Sequence, residues 1–95
     1  MISSRYVQLS GVLVCANQTQ SALVARLLPE HIRLTRAEAG CISFEVRQSA
    51  DPLVWDVAEV FSDRAAFEAH QARAAASEWG QATRGIERRY AITED

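Results

Sequence analysis

The chain of 95 residues has no apolar run approaching the ~18 residues a membrane-spanning helix needs. It also has no basic stripe along any face of its expected elements. With a net charge of −2, this argues against nucleic acid as a partner, because phosphate backbones call for concentrated positive charge. No apolar leader core followed by a small-residue cleavage site is visible, so the sequence reads as cytoplasmic. The two cysteines, Cys15 and Cys41, stand at no metal-binding spacing and read as buried thiols in a reducing compartment. The two histidines, His31 and His70, are too few to make a metal site alone. There is no GxGxxG, no phosphate loop, and no Ser-His-Asp or Cys-His signature. Repeats, linkers and low-complexity stretches are missing as well.

What remains is a globular composition, 48% apolar and 23% charged. A chain this short buries about 60–65% of the surface it exposes when unfolded, enough for one core. A single domain over residues 1–95 follows.

Hydrophobic spacing divides the chain into alternating elements. Residues 7–16 read as a strand, with Gly11 marking a bulge or a close approach by another group. Residues 21–38 carry Leu23, Leu27, Ile32 and Leu34 at helical spacing. Pro29 lies inside that pattern and predicts a kink or restart near Leu28, and Gly40 is placed to stop the helix. Strands are expected over 41–48 and 53–61, joined by the turn Ser49-Ala50-Asp51-Pro52. Ser62 or Asp63 caps a helix to about Ala75, a weaker helical segment starts at Ser77 and ends at Gly85, and a last strand covers 86–93. The order βαββαβ, with short connections and right-handed crossovers, gives an α+β, ferredoxin-like fold. Its four-stranded antiparallel sheet has order 4-1-3-2, with the helices on one face.

Period-2 alternation puts Trp55, Val57, Glu59 and Phe61 under the helices, and Val54, Asp56, Ala58 and Val60 on the bare face. The second strand divides into Ile42, Phe44 and Val46 against Cys41, Ser43, Glu45 and Arg47. The first strand has Val or Leu on both faces. So much outer apolar surface exceeds what monomers leave exposed, which predicts a homodimer joined through the open sheet face.

Glu59 is the most informative polar residue. Its register-mates are large and apolar, and a carboxylate buried among them needs a partner or a raised pKa. His70 and His31, on different helices over the same face, are candidate partners; Arg26, Arg36 or Arg84 would make an ordinary ion pair instead. Arg36 and Glu38 read as local pairing at a helix end. Trp55 and Trp79 read first as core residues.

Three stretches resemble antibiotic biosynthesis monooxygenase (ABM) domains, including the quinol-monooxygenase-like members. They are Thr35-Arg36-Ala37-Glu38-Ala39-Gly40-Cys41-Ile42-Ser43-Phe44-Glu45-Val46, Pro29-Glu30-His31, and Glu59-Val60-Phe61-Ser62-Asp63 with Ala66-Phe67-Glu68-Ala69-His70-Gln71. The resemblance implies a dimeric α/β barrel of two ferredoxin-like subunits, each with a cleft between helices and sheet. It also implies oxidation of phenolic or quinol-type substrates by O₂ without metal or flavin. Glu59, His70 and His31 match positions common in quinol-monooxygenase-like members. The positions that hold Asn, Trp and Tyr in polyketide-oxidising members correspond to Val57, Phe61 and Phe67, which sets this chain apart from their scheme and from haem degradation.

The expected function is thus a cofactor-independent monooxygenase-like enzyme for a small apolar or aromatic molecule. His70 and Glu59 form the polar pair, His31 stands at the pocket edge, and Trp55, Val57, Phe61, Phe67 and Trp79 line the pocket. A non-catalytic small-molecule-binding dimer and an isomerase of a small carbonyl metabolite are the competing readings.

Overall fold

The computed structural model describes residues 5–95; the first four residues of the expected 1–95 domain lie outside the described part. The elements are β1 (Val7–Val14), α1 (Gln18–Arg36), β2 (Cys41–Gln48), β3 (Val54–Phe61), α2 (Arg64–Ala76), α3 (Glu78–Ala82) and β4 (Glu87–Glu94). One antiparallel sheet has the order β2-β3-β1-β4, which is the expected ferredoxin-like arrangement.

Local chemistry accounts for the helix boundaries. The Asn17 side chain accepts from Gln20 N at 3.0 Å and the Asp63 side chain from Ala66 N at 2.8 Å, so each occupies a backbone donor that helix geometry leaves unpaired. Ser77 accepts from Gly80 N in the same way and separates α2 from α3. α1 is one helix across Pro29, not two. Pro29 lies on the exposed side of α1, where the lost backbone hydrogen bond leaves a carbonyl open to water. α3 ends at Ala82, before Gly85, because buried Thr83 donates its hydroxyl to Trp79 O at 2.6 Å.

Val7, Leu9, Leu13, Trp55, Val57, Phe61, Phe44 and Val46 are buried beneath Val24, Leu27, Leu28, Phe67 and Trp79. Trp55, Val57, Glu59 and Phe61 face the helices as the alternation predicts. In β2 the pattern fails at one residue. Ile42 is 53% exposed because the β2–β3 register shifts between Cys41 and Ser43, and this irregularity turns Ile42 away from the face shared by Phe44 and Val46.

Two glycines mark close backbone approaches. Gly11 has φ of 151°, and a Cβ there would stand 2.1 Å from the Arg89 carbonyl oxygen of β4. Only glycine holds that conformation without strain. Gly40 does not use a left-handed turn to end α1. A Cβ on it would lie 2.3 Å from Ala66 Cβ, so its bareness lets the start of β2 sit against α2.

The open face of the sheet has half-buried Val12, Val14, Val54 and Val60 around exposed Ala58. Glu45, Arg47 and Asp56 border them on one side, and Glu87 and Arg89 on the other. Among the described residues, no helix is long and apolar enough to cross a membrane.

Candidate active site

Between the helices and the inner sheet face lies a cavity of about 330 Å³. The pairing register explains why space remains there. Along β1 the inward positions are Leu9, Gly11 and Leu13, so the central row contributes no side chain. Gly11 stands between Val57 of β3 and Tyr90 of β4, and both line the cavity. Phe44, Val46 and Leu9 complete the apolar floor, and α2 contributes Gln71, Ala74 and Ala75. His31 and Trp79 form a side wall. Their rings stack with centroids 4.5 Å apart and planes 5° from parallel. The same pair also bounds a second cavity of about 190 Å³ between α1 and α3.

The polar end is built around His70. Its Nδ1 lies 3.0 Å from Glu38 Oε1, and Arg73 Nε donates to the other Glu38 oxygen. Arg73 also donates to the buried Thr35 hydroxyl at 2.9 Å. A carboxylate accepting at Nδ1 selects the tautomer with its proton there, which leaves the Nε2 lone pair free. That Nε2 lies 3.8 Å from Glu59 Oε1. Glu59 Oε1 is buried and has no hydrogen-bond partner among the described residues, and the same is true of His31 Nδ1.

Burial dominates the electrostatics. Burial first, and then the Glu38 carboxylate, pushes Glu59 up to about 7. Burial holds His31 down to about 3, reinforced by His70, Arg73 and Arg88. His70 is also lowered by burial, against the opposing pull of Glu38. Tyr90 is pushed up to about 12, again mainly by burial. Near neutral pH the site therefore holds an uncharged imidazole base facing a carboxyl group that is protonated about half of the time.

This gives a direct expectation for stability. Glu59 titrates near 7 when folded and near 4.5 in an ordinary environment, so the folded chain binds more protons between those values. Its stabilising contribution is complete below about pH 4.5 and is lost as pH rises through 7. Glu59→Gln has no such loss. The stability of this variant relative to wild type should climb by about 3 kcal/mol from pH 4.5 to 7.5 and then level off. Urea titrations at several pH values measure it; a constant difference would mean that Glu59 is not held neutral by the fold.

His31, Val57, Glu59, His70 and Trp79, all singled out in the sequence, line the cavity together. Trp55, Phe61 and Phe67 do not. Trp55 is buried toward the start of α1, donating to Ser21 Oγ at 3.2 Å. Phe61 backs the His70 ring at 4.8 Å and meets Phe67 edge-on at 5.8 Å. Period-2 alternation identifies a whole sheet face but not which part of it the helices leave uncovered.

Glu38 is the main residue that sequence reasoning placed elsewhere. It does not close its own helix end but reaches α2 to orient His70. Arg36 likewise leaves the helix end, donating to Phe44 O at 2.9 Å and pairing with Glu45. Neither Arg26 nor Arg36 meets Glu59; Arg84 lines the same cavity, as do Arg88 and Tyr90. The signal for Tyr90 and Arg88 was the inward alternation of β4 opposite Gly11 and Leu13. Among the described residues, no three His, Cys, Asp or Glu side chains are grouped to hold a metal ion.

Comparisons with known proteins agree with this architecture. The family model described as antibiotic biosynthesis monooxygenase matches residues 15–82. A Nitrosomonas europaea structure that bears the family's name superposes with a TM-score of 0.75 at 17% identity, covering 100% of this chain and 92% of that one. A Shewanella oneidensis structure gives 0.67 at 27% identity, covering 99% and 91%. A protein from an uncultured marine organism, described as a dimeric ferredoxin-like protein, gives 0.68 at 13% identity, covering 98% and 96%. No curated protein sequence gives a significant match. With the family model matching from Cys15 in the β1–α1 connection to the end of α3, on a βαββαβ fold, the chain belongs to the antibiotic biosynthesis monooxygenase family.

Proposed function

We propose that the chain is a cytoplasmic, homodimeric monooxygenase that needs no cofactor and oxidises a small aromatic or quinol-type compound in the cavity above Gly11. The observation that carries this reading is the pair at the polar end. His70 Nε2 and a Glu59 oxygen with no partner among the described residues lie 3.8 Å apart on the wall of the cavity, above its floor of Leu9, Phe44, Val46 and Val57. A phenolic O–H placed between them gives its proton to His70, while Glu38 steadies the imidazolium that forms. Neutral Glu59 then donates a hydrogen bond to the developing oxyanion. The electron-rich anion is what reduces O₂. For a quinol the balance is quinol plus O₂ giving hydroxyquinone plus water: one oxygen atom enters the ring and the other leaves with two hydrogens.

Oxygen uptake with a panel of quinols and phenols, comparing wild type with Glu59→Gln and a His70 variant, tests the assignment. Equal rates in all three would remove both roles. A base opposite a neutral acid also suits enolisation of a small carbonyl compound. Proton exchange at a ketone α-carbon without oxygen uptake would select that reading.

The dimer is supported by the apolar centre of the open face and by the neighbour described as dimeric. Val12→Asp places a charge in that centre, where it would be desolvated on association. Wild type should sediment at twice its 10.5 kDa mass at micromolar concentration, and Val12→Asp at that mass. A monomeric wild type would count against the interface.

A further inference from the structure

The cavity carries cations that the reaction above does not use. Arg84 and Arg88 both line it, and among the described residues neither forms an ion pair. Arg88 is held in place: its Nη1 donates to Thr83 O at 2.7 Å and Ile86 O at 3.0 Å, and its Nη2 to Thr83 Oγ1 at 2.9 Å. Nε and one Nη2 hydrogen remain, with the Tyr90 hydroxyl beside them. Arg84 makes no side-chain hydrogen bond among the described residues. Among the described residues the one carboxylate lining this cavity is Glu59, which burial keeps about half protonated near neutral pH, so it offsets at most part of one arginine charge. The lining is therefore net positive although the chain is net negative.

The pairing register separates this charge from the His70–Glu59 pair. Glu59 stands in the row of Leu9 and Arg88 in the row of Leu13, on strands either side of β1. That is about 13 Å along the strands and about 10 Å across them, before the side chains reach inward. Between them lie the Gly11 gap and the flat His31–Trp79 wall. Both arginines are exposed to solvent where they line the cavity, and Arg88 is fixed; a fixed arginine without a counter-ion is a carboxylate receptor.

We propose that the ligand is an aromatic carboxylate, with its acid group on Arg84 and Arg88, its ring over Gly11 and its hydroxyl at the His70–Glu59 pair. This rests on the oxidase reading for the role of the hydroxyl only; the charge requirement stands apart from turnover. Two fused rings bearing a carboxylate fit within the 330 Å³ cavity.

Calorimetric titration with 6-hydroxy-2-naphthoate, which carries its hydroxyl and carboxylate at opposite ends of the fused rings, its methyl ester and 2-naphthol tests the charge requirement without oxidation. The acid should bind at least tenfold more tightly than the ester or naphthol. Arg84→Gln should reduce that preference several-fold, and Arg84→Gln with Arg88→Gln should abolish it. Arg88 also ties down the turn before β4, so Arg84→Gln alone decides the matter if the double variant does not fold. Equal affinities for acid and ester, a preference undiminished by Arg84→Gln, or no binding of any of the three would each overturn the proposal. Acid-selective binding without oxygen uptake by any quinol would refute the oxidase reading and leave this one standing. Uptake without acid selectivity would do the reverse.

Discussion

Oxygen uptake by His70→Ala should fall about 10²- to 10⁴-fold below wild type, the range over which a positioned general base contributes. The loss should appear mainly in kcat, because the imidazole acts on a proton that moves only in the transition state. His70 is 3% exposed, so a folded variant has to be verified first, and His70→Asn, which keeps polarity and much of the volume, is the companion. In wild type the acid limb of the kcat/KM profile should lie below pH 6.5, because burial lowers His70 from that ordinary value. Glu38→Gln should shift this limb further down while leaving the cavity in place. Glu38 raises the imidazole pKa both by its charge and by its hydrogen bond, and the amide removes the charge. An acid limb that does not move in Glu38→Gln would show that the carboxylate only braces the helix.

The largest stability effect is expected at Gly11. Gly11→Ala forces a side chain into φ of 151° and sets its Cβ 2.1 Å from a backbone oxygen that cannot turn aside. The β1–β4 pairing has to open or shift. A loss of about 3 kcal/mol or more is expected, which for a domain of this size lowers Tm by about 12 °C or more. Gly85→Ala is the control, since nothing lies within 4 Å of a Cβ there, and it should be close to neutral. A Gly11→Ala variant melting within 2–3 °C of wild type, by the same conversion, would mean that β4 is loosely paired.

Much of this arrangement was legible in the residues because its causes are local or periodic. The cap at Asp63 follows from a side chain that reaches a backbone donor three residues away. The strand faces follow from strict alternation, and so does burial of Glu59 among Trp55, Val57 and Phe61. Gly11 was readable as a close approach, though not as the floor of a cavity. What could not be read depends on contacts distant in sequence. Glu38 and His70 are 32 residues apart, and they meet because Gly40 lets the α1–β2 connection press against α2. The Ile42 reversal depends on a register slip between strands, invisible in either strand alone. Trp55 and Phe61 share a face with Glu59 yet lie outside the cavity, because only the helices decide where the sheet is left uncovered.

The stacked His31–Trp79 wall has a mechanical consequence. It has empty space on both sides, 330 Å³ within and 190 Å³ behind. A wall without atoms packed behind it lacks dispersion contacts on that side. The sheet below is paired without a register break from β3 through β1 to β4, and Glu38 and Arg73 pin the His70 end. The site is therefore stiff in depth and compliant in breadth. Substituents on the ligand edge facing α3 can be accommodated by small displacements of two rings, whereas a change at the hydroxyl end meets groups that have no room to yield. Selectivity should accordingly be sharp for the position of the hydroxyl and broad for the width of the ring system.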